Sequence, residues 1–60
     1  MIPVVGERVM WKENSGVVVE LIQEPVEVQE GVVAIDWTVV VRDDEGILNW
    51  VSLRDLEGYR

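Results

Sequence analysis

The sequence has no cysteine, no histidine and no phenylalanine, and lysine and arginine together number only five. Without cysteine there is no disulfide, haem attachment or thiolate metal site. Without histidine the commonest general base and the commonest metal ligand are both missing. No Ser-His-Asp or Cys-His arrangement can be built, and Ser15 and Ser52 have only Lys12 as a lysine partner. There is no phosphate-cradling glycine loop and no dinucleotide fingerprint. The expectation is therefore a protein without catalytic residues, cofactor or metal. Asp43, Asp44 and Glu45 offer oxygen ligands, but their spacing departs from the twelve-residue calcium loop, and they are read as a hydrated turn.

No stretch reaches the roughly 20 apolar residues that a membrane-crossing helix needs. The N-terminal Met1-Ile-Pro-Val-Val5 lacks the basic region and apolar core of a signal peptide. The expectation is a cytoplasmic protein that does not engage membranes. Basic residues are scarce while Asp and Glu total 12, so the formal charge is -7. Nucleic-acid affinity rests largely on basic groups that displace counterions, so the balance opposes it. It favours solubility of a surface rich in Val and Ile. Acidic mimicry of nucleic-acid phosphates, occupying a basic protein, is a lesser alternative.

What is present is a single domain, residues 1–60, with close-spaced strand signals. Sixty residues bury only about 60% of the surface their unfolded chain exposes, which makes such a domain marginal. A well-closed sheet, a partner or both are needed. Arg8–Trp11 reads as a first strand, and Lys12-Glu-Asn-Ser-Gly16 as a polar turn with Gly16 at a backbone position other residues avoid. Val17–Ile22 is β-branched and strongly strand-forming. Pro25 ends that run or sets it on a sheet edge. Val26–Gln29 then either extends the strand past a kink or forms a separate short arm.

The longest strand is Val32–Arg42. Its register of Val33, Ile35, Trp37, Val39 and Val41 is wholly apolar and is expected to face the core. Asp43–Gly46 reads as a hairpin connection and Ile47–Val51 as the returning strand. Ser52, with Asp55 three residues on, suggests a capped helical turn that Gly58 stops. The sum is an all-β domain of four to five antiparallel strands, with one short helical turn near the C-terminus. A flat sheet would leave an apolar face wet, so a small barrel or roll is expected.

Gly6 before Arg8-Val-Met-Trp11, Gly16-Val-Val-Val19, the long strand around Trp37 and Asn49-Trp-Val-Ser-Leu-Arg-Asp-Leu-Glu57 follow one another in an order that resembles the SH3-like barrel superfamily, including Tudor, chromo-like and KOW-type domains. The resemblance spans nearly the whole chain at fold level. It implies a small barrel closed by a strand and a short helical turn. A KOW-type domain would imply a nucleic-acid-binding basic surface, which here would need Arg8, Lys12, Arg42 and Arg54 to converge. A Tudor domain would imply an aromatic cage for methylated side chains. Many unrelated functions share the fold.

Trp11 and Trp37 are expected in the core, and Tyr59 at a packed rim. Trp50 lies on a strand that is apolar on both faces, Ile47 to Val51, so one face must meet the closing turn or another chain. The expected interaction surface is Trp50, Ile47, Asn49, the acidic turn Asp43, Asp44 and Glu45, and Tyr59. The expected partner is protein: another copy of the chain, or a larger protein with a basic surface. The functional expectation is a non-catalytic interaction module or small accessory subunit that self-associates.

Overall fold

The computed structural model describes residues 1–59. Four antiparallel strands form one open sheet in the order β1-β2-β3-β4: β1 is Arg8–Trp11, β2 Asn14–Gln29, β3 Val32–Asp43 and β4 Leu48–Ser52. A single 3-10 turn, Leu53–Asp55, follows β4. The all-β class, the strand count and the late helical turn agree with the sequence. The strands do not close into a hydrogen-bonded barrel: β1 and β4 are the two edges of an open sheet. After the 3-10 turn the chain crosses to β1, where the Glu57 N–H donates to the Met10 carbonyl at 2.9 Å. The sheet thus curls far enough for Val9 and Trp11 of β1 to share one core with Val51 of β4 and with Leu56.

That core is small. Val9, Trp11, Val18, Val39, Val41, Val51 and Leu56 are buried together, with Leu21, Leu53 and Tyr59 packed against them. The strand members lie on one face of the sheet, because directly opposed residues share a face: Val18 faces Val41, Leu21 faces Val39, and Val39 faces Val51. A bulge at Val19 lets Val18 and Leu21 both reach this face although three positions separate them.

Gly16 is needed for space and not for an unusual backbone angle. It lies inside β2 opposite Asp43, and a Cβ there would stand 2.5 Å from the Arg42 carbonyl oxygen and 2.6 Å from Cγ1 of Val41. The turn itself is only Lys12 and Glu13, since Trp11 pairs with Asn14, and Lys12 takes the left-handed φ of 53°. Ser52 precedes the 3-10 turn but makes no side-chain cap; its hydroxyl accepts from Arg54 Nε instead.

Pro25 does not break β2, which runs unbroken to Gln29 and pairs Pro25 with Ile35. Backbone direction explains this. The Asp43 N–H donates to the Ile47 carbonyl on the β4 side, so by alternation the odd-numbered residues of β3 point their backbone groups away from β2. Ile35 is one of them, so Pro25 sits at a non-hydrogen-bonded pair and its missing N–H removes no ladder bond.

The β2–β3 hairpin outruns the rest of the sheet. β1 pairs with β2 only up to Val17, and β4 pairs with β3 only over Thr38–Arg42. From there to the turn at Glu30 and Gly31 the hairpin is a two-stranded arm. The molecule measures 41 × 18 × 17 Å with a radius of gyration of 12.3 Å, against about 10 Å for a compact chain of this length. The expectation that the whole apolar register of β3 faces a core therefore holds for only part of the strand. Val39 and Val41 are fully buried, Trp37 is half-buried, and Ile35 and Val33 are exposed, because among the described residues neither β1 nor β4 reaches along the arm.

Candidate functional site

The expected surface residues divide between the two faces of the sheet. Trp50 stands directly opposite Val40 on the face away from the core and is 64% exposed. The same outer face carries Leu48 beside Arg42, with Val17 and Arg8 next in the row, and Met10 further along β1. Leu48 and Met10 are exposed, while Val40, on a central strand between Glu20 and Trp50, is buried. Ile47 is exposed at the start of the returning segment. Tyr59 lies on the opposite side, packed against the core.

The acidic turn is organised by one carboxylate. Asp43 Oδ1 accepts from the Glu45 N–H at 2.9 Å and the Ile47 N–H at 3.0 Å, and Oδ2 accepts from Asn49 Nδ2 at 3.1 Å. The Asn49 amide also donates to the Ile47 carbonyl. The bond from Ile47, then that from Asn49, hold the Asp43 carboxyl below its ordinary value; desolvation opposes them and the Glu45 N–H adds to them. Asp44 pairs with Arg8 at 3.3 Å in the open. Asp43 and Asn49 therefore shape the loop, and Ile47, Asp44 and Glu45 are what it presents.

Glu13, Asn14, Ser15, Asp43, Asp44 and Glu45 line an open depression of about 210 Å³. Its most embedded carboxylate spends its oxygens on protein donors, and among the described residues no three acidic side chains gather as a metal site. A second depression, about 230 Å³, lies on the arm between Val26, Val28, Ala34, Ile35, Asp36 and Arg54. Neither has an aromatic lining. Trp11 is buried, Trp37 is half-buried and Tyr59 packs on the core side, whereas Trp50 stands exposed on the outer side, so Trp50 shares a face with none of the other three.

Of the four basic residues named for a nucleic-acid surface, Arg8 and Arg42 stand in one row of the outer face, with Val17 between them. Lys12 occupies the β1–β2 turn, and Arg54 is tied to Asp36 at 3.2 Å, six residues along β3 from Arg42. No helix is long and apolar enough to cross a membrane.

The surface that sequence reasoning missed is the arm. Val26, Val28, Val32, Val33 and Ile35 are all exposed there. The signal was available: an apolar strand of about a dozen residues followed by one of about five cannot be partnered along its whole length. Compared with protein-family models, curated proteins and solved structures, the chain finds no match.

Proposed function

We propose that the chain is a non-catalytic protein-interaction module, built on an SH3-like plan, that works by self-association. The observation that carries this reading is the apolar register of β3 running past the end of the core, leaving Val33 and Ile35 more than half exposed. Several clustered apolar side chains in water are a liability unless another surface covers them. Trp50, Leu48 and Ile47 extend the exposed apolar area to the outer face of the body. The light-scattering mass of the wild type and of Ile35→Lys at matched concentration tests the reading. An assembly that the substitution reduces to monomer is expected; equal masses would contradict the arm's role.

A larger partner with a basic surface is a second reading, favoured by charge. Residues 20–36 hold Glu20, Glu24, Glu27, Glu30 and Asp36 and no lysine or arginine. Such a field steers encounter with a cationic surface more than it sets affinity. Binding of a basic protein that weakens steeply with salt would support it.

A further inference from the structure

β3 has a bare edge on the arm, and its backbone shows what fits there. Between Val32 and Trp37, β2 is the only strand paired with β3 among the described residues. The odd residues Val33, Ile35 and Trp37 turn their N–H and C=O groups off that edge, by the alternation fixed at Asp43. The Trp37 N–H is met by its neighbour, donating to Asp36 Oδ1 at 2.9 Å, while Asp36 Oδ2 holds Arg54. That clamp ends the usable edge. Val33 and Ile35 are left with both donor and acceptor facing outward.

The two edges of the arm differ. On β2, Pro25 lacks an N–H, and Glu20, Glu24 and Glu27 are interspersed along the strand, the devices that discourage added strands. On β3, Val32-Val-Ala-Ile35 carries neither charge nor proline. A two-stranded ribbon is marginal in water by itself.

Resting on the self-association reading, we propose that Val33–Ile35 of β3 pairs antiparallel with the same segment of a second copy, about a two-fold axis at Ala34. In that register Val33 of each copy lies opposite Ile35 of the other, and each pair exchanges both backbone hydrogen bonds. The β-branched side chains meet as cross-strand neighbours on one face. Ala34 meets its own counterpart at the close, non-hydrogen-bonded position, about 4.5 Å between Cα atoms, where a small side chain fits. Asp36 falls opposite Val32, so no carboxylate directly faces another. The glutamates of the two β2 strands end up three strand spacings apart, about 14 Å, beyond the screening length of roughly 8 Å at physiological salt. The net charge of -7 therefore does not fall on the new seam. The product is a four-stranded arm whose outer strands are the two β2 edges that resist further addition.

The absence of native cysteine makes the register directly readable. Ala34→Cys is expected to form an intermolecular disulfide on mild oxidation. Val33→Cys and Ile35→Cys are each expected to cross-link poorly alone, since the like positions are offset by two residues, about 8 Å, and disulfides require less than about 7 Å. Mixed, those two variants should give the heterodimer. Val28→Cys, exposed on the same arm, is the control, and circular dichroism confirms that each variant folds. Equal cross-linking of Val28→Cys and Ala34→Cys, or efficient cross-linking of Val33→Cys alone, would overturn the register. Should the wild type still associate in sedimentation, self-association would stand and only this seam would fall. A wild type that stays monomeric would defeat both.

Discussion

Val39 and Ile35 project from the same side of β3, yet Val39 is 0% exposed and Ile35 is 54% exposed. Val39 is flanked by Leu21 on β2 and Val51 on β4, with Leu56 in the same core. Ile35 has a cross-strand partner on one side alone, Pro25, among the described residues. One strand thus contributes half of its apolar register to the fold and half to the surface. Val39→Ala should cost about 2 kcal/mol through lost burial and an unfilled cavity. Ile35→Ser should change the stability of the monomer by less than about 1 kcal/mol. Urea melts of both variants at low protein concentration check the contrast.

Gly16→Ala should destabilise the domain by about 2 kcal/mol, because the added methyl would meet the Arg42 carbonyl and Val41 Cγ1 below contact distance. Neither neighbour is the free end of a flexible side chain: one is backbone, the other a fully buried valine. Thermal melts should show the loss, and an unchanged midpoint would mean the strands can part there without cost.

Acid should loosen the β3–β4 turn. The Asp43 carboxyl is held below its unfolded value in the folded state, so its contribution is present above the unfolded pKa and is lost as pH falls through the lower, folded one. Asp43→Asn should flatten the acid limb of stability against pH, with hydrogen exchange at Glu45 and Ile47 faster than in the wild type at neutral pH. An acid limb of the same slope in both would remove Asp43 from the cause.

Trp50→Ala should leave the fold intact, shifting stability by no more than about 1 kcal/mol, because the indole is mostly in solvent. If the outer face takes part in association, the same variant should weaken it. Circular dichroism and sedimentation on one sample separate the two effects. Unfolding by this substitution would instead make Trp50 a structural residue.

The strands and the late helical turn were legible because alternation and β-branching are local. Trp11, in step with Val9, is buried as its register implied, at 7% exposure. The register of β3 was also legible, but alternation says which side a residue faces and not whether anything stands there. That depends on how far β1 and β4 reach along the hairpin. For Pro25 the sheet-edge reading holds and the strand-ending one does not: β1 no longer pairs with β2 there, and the pairing with Ile35 did not need the missing N–H. The role of Asp43 was hidden because a carboxylate that organises its own loop has the same sequence as one that merely solvates it. Of the expected surface, Trp50 and Ile47 are exposed, whereas Asn49 and Asp43 turn inward to one another.

The most direct test of self-association is sedimentation equilibrium of the wild type across a concentration series, with circular dichroism on the same samples. Folded dimers or larger assemblies that dissociate on dilution are the predicted result. A stably folded monomer at every concentration would contradict it, and would leave the apolar arm of β3 to a partner other than the chain itself.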